Sequence, residues 1–579
     1  MNFMKNAVIS ELFSRMADIM EILGDDPFRI NSYRKVARVV NDTPADVEVL
    51  DAEGKLAELP GIGKSSLAKI EEFIKTGKMT AYEELIKKIP STLLDLLKIP
   101  GIGPKGVKAM YEKLEITNIA ELKKAIADGT LAKIFGFGEK KVSAIAKGIE
   151  FIEKSTGRIR IDQATEAAQL VADFLKELPG IKQIETAGSV RRRADTIGDV
   201  DILVAADDGK KIIDKFTKAQ FVQEVLAAGE TKGSAIIQTT TCHVHVDVRV
   251  VAKESFGAAL QYFTGSKQHN VRLREIAVKK KWKLNEYGLF DGDKIIAGKN
   301  ETEIYKKLGL DFVEPVLREG RGEIEAAQTH KLPKVIELAD IKGDMHIHTN
   351  ASDGVCEPDE IIEAVKKLGY KYICITDHSK SSAIANGLSL KRLAEEIKKI
   401  QRLNEKIKGL EILIGTEVDI LANGSIDFDN EVLAELDFVT ASIHSALGGS
   451  REKVTNRTLK AMDNPYVNSI SHPTGRLIGE REPMDLDIEA VIKHAVKTGT
   501  ALELNAHPMR LDLKDMHCKM AIEQGVKLII STDTHHIENL SLMQFGVATA
   551  ARGWVTKESV LNTHPLAKIR AFIKTKRPK

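Results

Sequence analysis

GSVRRRADTIGDVDILV, residues 188–204, sets Arg191, Arg192 and Arg193 ahead of two aspartates and then an unbroken apolar run. In a strand, alternate residues share a face, so Asp199 and Asp201 project together. Carboxylates that close repel, and a bound cation is the usual resolution. By themselves the two aspartates also fit a solvated turn, so the rest of the chain has to decide. A helical run, QATEAAQLVADFLKEL (163–178), and a strand-like IKQIETAG (181–188) lead into the stretch. Beyond it, HVHVDVRVV (243–251) alternates with period two and puts Asp247 on one face with His243, His245 and Arg249. Laid beside the first strand, it would supply a third carboxylate. Hard oxygen ligands of this kind suit Mg²⁺, or Mn²⁺, held between protein and substrate phosphates. Two such ions can activate a hydroxyl and neutralise a leaving pyrophosphate. Ser189 and Arg192 would then grip a triphosphate.

Residues 1–150 read as helical, with heptad-like apolar spacing through LFSRMADIMEIL (12–23). One phrase recurs there: LPGIGKSSLAKIEEF from Leu59, IPGIGPKGVKAMYEKL from Ile99 and IFGFGEKKVSAIAKGI from Ile134. Gly63-Lys64-Ser65 invites a P-loop reading. That motif needs a glycine five residues before Gly63, where Glu58 stands, and KLAELP is a poor strand to precede it. The phrase reads instead as a helix-hairpin-helix. Gly61 and Gly63, Gly101 and Gly103, and Gly136 and Gly138 let two helices join tightly and leave backbone N–H groups facing a phosphate, without base readout. One G-x-G could be a plain helix connector; three copies favour DNA backbone binding.

Most of the 15 histidines follow residue 340. GDMHIHTNASDG (343–354) puts His346 and His348 on one strand face, with Asp353 beyond. Then come Asp377-His378, Glu417, His444, His472, and Asp533 with His535, each after a short apolar run such as KYICI, LEILI, LDFVTAS or VKLIIS. Helix-like stretches such as DEIIEAVKKL (359–368) separate the runs. This is βα repetition, which gathers strand C-terminal ends at one barrel mouth. A lone histidine on such a strand is usually a core histidine, but nine polar ligand types, each at a strand end, are not explained that way. Mixed imidazole and carboxylate sets suit Zn²⁺, Mn²⁺ or Fe²⁺, and several ions together would polarise a phosphoester for attack by water. Asp344 and His536 flank the set as candidate outer groups. Arg476 and Arg481 read equally as phosphate contacts or as solvated surface.

Bulk properties bound these readings. A chain of 579 residues exceeds one core and implies several domains. A net charge of +2 favours no class of partner, so the basic clusters at 191–193 and VKKKWK (278–283) carry more weight. VKKKWK alone reads equally as a solvated helix face. The four cysteines show no C-x-x-C spacing, which argues against a disulfide framework or a cysteine zinc finger and fits reduced thiols in a cytoplasm. MNFMKNAVISELF carries charge too early for a signal peptide, and no apolar run approaches the roughly 18 residues of a membrane span.

G-S-x-R-R…G-D-V-D, V-D-V-R and YFTGS (262–266), together with LNEYGLF (284–290) and LGLDFVEPVLREGRGEIEAA (308–327), resemble the family X DNA polymerases up to about Glu323. The resemblance implies that Asp199, Asp201 and Asp247 bind metal. It implies that Arg158, Gly188, Ser189, Arg192 and Gly198 serve the triphosphate, Tyr262, Phe263 and Gly265 the sugar, Asn270 the incoming base, and Arg274 the template. Lys69 lies where this family can carry a Schiff-base lysine for deoxyribose-phosphate removal. The segment 202–246 is shorter than in many eukaryotic members, so loop contacts there do not transfer. From about Gly343 the chain resembles the PHP (polymerase and histidinol phosphatase) domain, with His346, His348, Asp353, His378, Glu417, His444, His472, Asp533 and His535 as implied ligands.

The expected fold is multidomain: a helical helix-hairpin-helix region, an α+β nucleotidyltransferase palm and a C-terminal distorted TIM-like barrel. Expected boundaries are 1–90 and 91–157 (helical, DNA-binding), 158–253 (palm), 254–318 (nucleotide-selecting), 319–342 (a charged linker that wraps or hinges) and 343–579 (PHP). In this order the two resemblances match the bacterial and archaeal branch of the family. They imply gap-filling synthesis and a metal-dependent 3′-5′ exonuclease, with abasic-site cleavage in some members. The expected partners are gapped or primed double-stranded DNA and dNTPs, with a monovalent cation at the hairpins. The chain is expected to act as a monomer in the cytoplasm, on the nucleoid, with no membrane. The alternatives are a phosphatase of small phosphate esters with a DNA-tethering front half, and a non-catalytic scaffold for DNA ends.

Overall fold

The structure is a computed structural model that describes residues 4–43, 47–59, 61–90, 92–97, 99, 102–139, 141–143, 145–146, 149 and 158–578. It divides into two compact units, one of residues 1–156 with 479–481 and one of residues 157–478 with 482–579.

In the first unit, helices Met4–Leu23 and Pro27–Asp42 pack along their length. Phe13, Met16, Ala17, Ile19, Met20 and Val36 fill the seam, as the apolar spacing of 12–23 requires. The three glycine phrases fold alike. Ile62 N–H donates to the Leu59 carbonyl (3.1 Å), Ile102 to Ile99 (3.0 Å) and Phe137 to Ile134 (3.0 Å). The next helix starts each time on the carbonyl of Gly63, Gly103 or Gly138, and Ile62, Ile102 and Phe137 are buried behind the turn. A Cβ added at Gly63, Gly103, Gly136 or Gly138 would meet nothing within 4 Å. Packing does not demand glycine there, and the bare turn leaves the helix N–H groups open in front. Gly101 lies outside the described residues.

The second unit begins with a two-residue pairing of β1 (Ile159–Arg160) and β3 (Thr196–Ile197). A five-stranded sheet runs in the order β2 (Ile181–Thr186), β4 (Val200–Ala206), β7 (His243–Val251), β6 (Lys232–Gln238), β5 (Val222–Ala228). Only β4 and β7 are parallel, and their register sets Asp201 directly opposite Asp247. Helices Ile161–Lys176 and Gly209–Phe216 cover one face over Val204, Val246 and Val248. Helix Phe256–Thr264 covers the other through Phe256, Ala259 and Leu260. Next comes a small antiparallel sheet of β8 (Trp282–Asn285), β9 (Gly288–Asp291) and β10 (Lys294–Ala297) with helices Lys267–Lys279 and Glu301–Leu308. VKKKWK is therefore not one helical face: the helix stops at Lys279, Lys281 turns with φ 61°, and Trp282 opens β8.

The interior of this part holds charge. Arg318 is wholly buried under Tyr305 and Phe312, with its guanidinium on Glu301 and on the Val313 carbonyl (2.9 Å). Glu301 also takes both arms of Arg191 at 3.0 and 2.6 Å. Breaking a buried pair leaves an uncompensated charge. Arg318→Ala is expected to cost about 3 kcal/mol, the low end of that range because Arg191 still holds Glu301. A urea melt followed by tryptophan fluorescence checks this.

The stretch expected as a linker does not hinge freely. It wraps. Glu323 pairs with buried His269 (2.7 Å), Arg321 with Asp515 (2.8 Å), and Ile336 N–H donates to the Val555 carbonyl (2.9 Å). Beyond it, seven parallel strands run in chain order: β11 (Gly343–Ile347), β12 (Tyr372–Ile375), β13 (Glu411–Asp419), β14 (Phe438–Ser442), β15 (Ser469–Ile470), β16 (Ala501–Asn505) and β17 (Leu528–Ser531). A bridge between Ile347 and Thr534 brings the last strand back to the first. The TIM-like expectation holds with one strand fewer than the eight of that barrel. Arg476, read from sequence as a phosphate contact or surface residue, is instead 5% exposed. It donates to the Arg510 and Leu511 carbonyls and reaches Asp195 of the palm at 3.0 Å.

Candidate active sites

The palm brings Asp199, Asp201 and Asp247 together, with one oxygen of each within 4.8 Å of the others. The reason is register: Asp201 and Asp247 are partners on parallel strands, and Asp199 stands two residues back, just ahead of β4. Burial, then repulsion from Asp199 and Asp247, pushes the Asp201 carboxyl up to about 7. A carboxyl raised by its own neighbours is what a divalent ion relieves, so the donor set fits Mg²⁺ or Mn²⁺. Burial acts against ionisation of Asp247 as well, but Lys232 (2.7 Å) and the Ser234 hydroxyl (2.6 Å) hold that carboxyl below its ordinary value. Both lie on β6, Ser234 directly opposite Asp247 and Lys232 opposite Arg249, and sequence reading missed both.

The raised Asp201 carboxyl has a pH consequence. Below about 7 it keeps its proton, which an entering ion must displace, so metal affinity falls as pH falls. The Mg²⁺ concentration that half-fills this site is expected to rise about tenfold per pH unit below 7. Ionising Asp201 above its ordinary range costs the folded state stability. Asp201→Asn is therefore expected to raise the metal-free melting temperature at pH 8 by about 2–4 °C, readable by calorimetry.

Gly188 lets the chain pass close to this centre. Its φ is +60°, and a Cβ there would stand 2.4 Å from Asp201 Oδ2. Ser189 follows in the short helix Gly188–Arg191. Arg192 donates through Nε to Glu319 (3.0 Å) and through Nη1 to the Thr264 carbonyl (2.6 Å). Arg158 is fixed on Thr196 by its hydroxyl (2.9 Å) and its carbonyl, beside Gly198. Tyr262 and Phe263 meet edge to face at 5.2 Å, and the Arg249 guanidinium covers Phe263 at 4.4 Å. Gly265, with φ +69°, ends their helix and lies near Arg192. Asn270 stands on the next helix, Lys267–Lys279. It is buried, its amide nitrogen donates to the Tyr262 carbonyl (2.7 Å), and its oxygen accepts from Gln261 (2.7 Å). Its amide thus braces the preceding helix. Arg274 is half-buried one turn further on. In the first unit, Lys69 Nζ donates to the Ser65 hydroxyl (2.7 Å) and carbonyl (2.9 Å).

At the barrel mouth all nine expected residues converge. Three overlapping groups each hold one ligand atom per residue within 4.8 Å: His348, Asp353, His378 and His535; His346, His348 and Asp533; and His378, Glu417 and His444. Glu417 is central. Its Oε2 lies 3.0 Å from His378, 3.5 Å from His346 and 3.6 Å from His348; its Oε1 lies 2.9 Å from His472 and 3.4 Å from His444. Burial would raise Glu417, but the imidazoles of His444, His378 and His346 hold it well below the carboxylate range. Burial likewise lowers His348 and His472 to about 4, so both are neutral and able to ligate near pH 7. His346 Nε2, both nitrogens of His348 and His378 Nδ1 are buried without a hydrogen-bond partner. Orphaned imidazole nitrogens facing shared carboxylates fit a cluster of Zn²⁺, Mn²⁺ or Fe²⁺ ions.

Two carboxylates orient this set, and sequence reading passed over them. Glu503 holds His346 Nδ1 at 2.7 Å and Asp419 holds His444 Nδ1 at 2.6 Å, so each ring turns Nε2 inward. Asp419 could have been found, because it shares a face with Glu417 two residues before it on β13. The two flanking candidates do other work. Asp344 accepts from Thr532 and from the His346 N–H, and His536 caps the short helix Ile537–Leu542. A cavity of about 610 Å³ opens over the centre, with Ser381, Ile384, Arg510 and His535 on its walls.

The whole chain can now be set beside known proteins. Its segments match the helix-hairpin-helix domain (4–79), the SAM-like helix-hairpin-helix tandem (93–150), the DNA polymerase beta palm (158–253), the DNA polymerase beta thumb (259–319) and the PHP domain (344–507). It is 38% identical over 568 residues to the DNA polymerase/3′-5′ exonuclease PolX of Bacillus subtilis (strain 168), covering 98% of this chain and 99% of that protein. DNA polymerase lambda of Arabidopsis thaliana is 26% identical over 343 residues, 54% of this chain and 61% of that protein. A probable phosphatase of Thermoanaerobacter sp. (strain X514) is 31% identical over 248 residues, 41% of this chain and 96% of that protein. A palm with three facing carboxylates and a barrel with a histidine-rich mouth are matched together over 98% of the chain in one relative: the chain belongs to the family X DNA polymerases that carry a C-terminal PHP domain.

Proposed function

We propose that the chain is a DNA-directed DNA polymerase that fills short gaps during repair and trims 3′ ends at its PHP centre. The observation that carries this reading is the coexistence of two complete ligand sets, three carboxylates in the palm and nine imidazole or carboxylate residues in the barrel. Asp199, Asp201 and Asp247 would hold Mg²⁺ or Mn²⁺, which supplies charge neutralisation for nucleotidyl transfer when bound. Arg192, Arg158 and Ser189, with the N–H groups around Gly188 and Gly198, bind the triphosphate. Tyr262, Phe263 and Gly265 shape the sugar pocket. Arg274 lies toward the template, and the three glycine turns hold DNA backbone, with a monovalent cation among their carbonyls. The likeness to a lambda-type polymerase supports short gaps as substrate.

In the barrel, His346, His348, Asp353, His378, Glu417, His444, His472, Asp533 and His535 would hold the ion cluster, which supplies Lewis acidity toward a phosphodiester when bound. Glu503 and Asp419 keep two of the rings in register, and the cavity has room for one terminal nucleotide. Among the described residues no helix is long and apolar enough to cross a membrane. Action as a monomer on nucleoid DNA belongs to the same proposal. Lys69 is proposed as the Schiff-base lysine; borohydride trapping on an abasic end that Lys69→Ala does not abolish would remove it.

The test is a 5′-labelled primer on a one-nucleotide-gapped duplex, with Mg²⁺ or Mn²⁺, with and without dNTPs. Extension by one nucleotide with dNTPs and shortening without them is the expected pair of results. A wild type that does neither overturns the reading. Release of inorganic phosphate from small phosphate esters, without shortening, would move the barrel toward the phosphatase reading that its likeness to the Thermoanaerobacter protein favours.

A further inference from the structure

The guanidinium assigned above to the triphosphate already belongs to an ion network that starts in the palm and ends on the barrel. Glu319, which accepts from Arg192 Nε, also accepts from Arg552 Nη1 at 2.8 Å. Arg552 is the last residue of helix Met543–Arg552, which packs on β17 of the barrel. The same Nη1 donates to the main-chain carbonyl of Arg192 at 2.6 Å. Arg552 Nη2 lies 3.1 Å from Asp515 Oδ2, which pairs with Arg321 as well. The side chains of Arg192, Glu319 and Asp515 are each 15% exposed and that of Arg552 is 9% exposed. Ion pairs this far out of water, with planar guanidinium geometry, have direction as well as charge.

We infer that Arg552, a residue of the C-terminal barrel, is a positioning residue for dNTP binding in the palm. The inference rests on Arg192 being a triphosphate ligand. Arg552 holds Arg192 at both ends, at its backbone carbonyl directly and at its guanidinium through Glu319. It also shares the charge of Glu319, which would otherwise fall on Arg192 alone. Arg192 spends two of its five N–H donors on Glu319 and Thr264, which leaves three for phosphate oxygens. Without Arg552, Glu319 competes with the triphosphate for Arg192 at full strength, and the loop carrying Arg192 loses its carbonyl anchor. Both effects weaken dNTP binding. Neither touches the carboxylates that carry the chemistry, nor the barrel mouth.

The experiment compares wild type, Arg552→Ala, Arg552→Lys and Arg192→Ala on a one-nucleotide gap across a dNTP series, with gapped-DNA affinity and dNTP-free trimming measured on the same preparations. Arg552→Ala is expected to raise the KM for dNTP about tenfold, the loss of one charge-assisted contact, with kcat, DNA affinity and trimming each within about twofold. Arg552→Lys keeps a charge beside Glu319 but cannot span Glu319, the carbonyl and Asp515 together, so its KM rises less, about threefold. An unchanged KM in both Arg552 variants, while Arg192→Ala raises it, overturns the inference. So does a parallel loss of trimming and extension at unchanged KM in Arg552→Lys, which decides the matter should Arg552→Ala fail to fold. If Arg192→Ala itself leaves KM unchanged, the triphosphate assignment of Arg192 has failed, and the inference falls with it for that separate reason.

Discussion

Replacing Asp199 and Asp201 together by alanine is expected to lower gap-filling about 10⁴-fold or more while leaving dNTP-free trimming within about twofold. The size follows from the geometry. Three carboxylates share less than 4.8 Å, and Asp201 is so crowded by burial and by Asp199 and Asp247 that its carboxyl rises to about 7. Removing two of the three leaves Asp247 alone, already neutralised by Lys232 at 2.7 Å, so no divalent site survives. Divalent-ion catalysis supplies several kcal/mol to phosphoryl transfer, and each 1.36 kcal/mol is about tenfold in rate. The selectivity follows from the fold, since the barrel ligands stand on or just after barrel strands and the aspartates at β4. Single-turnover extension and trimming on one labelled primer read both numbers. Extension that survives the double substitution would refute the palm assignment.

Glu417→Gln is the barrel counterpart. Trimming is expected to fall about 10³-fold or more and gap-filling to stay within about twofold. Glu417 is chosen over any single histidine because five imidazoles lie within 3.6 Å of its oxygens. The amide is nearly isosteric, so packing is kept while the shared negative charge is lost. Burial already opposes that charge, and only the surrounding imidazoles hold it ionised. The neutral residue therefore leaves the cluster short of anionic ligand, and metal content per chain, measured by plasma mass spectrometry, is expected to drop. Full metal content with full trimming would sink the assignment. Full metal content with lost trimming would move Glu417 from ligand to a group that meets the substrate.

Much of this protein could be read along the chain. Asp201 and Asp247 each sit in an apolar, strand-periodic run, and the nine barrel residues fall on or just after six of the seven buried barrel strands. These are local signals, because a strand presents alternate residues to one face and a parallel barrel collects its strand ends at one mouth. The three glycine phrases were legible for the same reason, and they fold with the same Ile62, Ile102 and Phe137 turn bond. What the chain could not show were pairings between distant residues of ordinary type. Glu503 on His346 spans 157 positions, Asp195 on Arg476 spans 281 and Arg192 on Arg552 spans 360. Nothing in the neighbourhood of such a residue marks it from a solvated charge. Asn270 is a further case: its motif marked it as a nucleotide contact, and only the packing shows its amide bonded to Tyr262 and Gln261 as well. Periodicity and spacing by themselves determined the kinds of site and the elements that bear them. Only tertiary packing decided which carboxylate orients which imidazole and which arginine is free to meet a phosphate, because desolvation makes an ion pair specific only once the chain has closed around it.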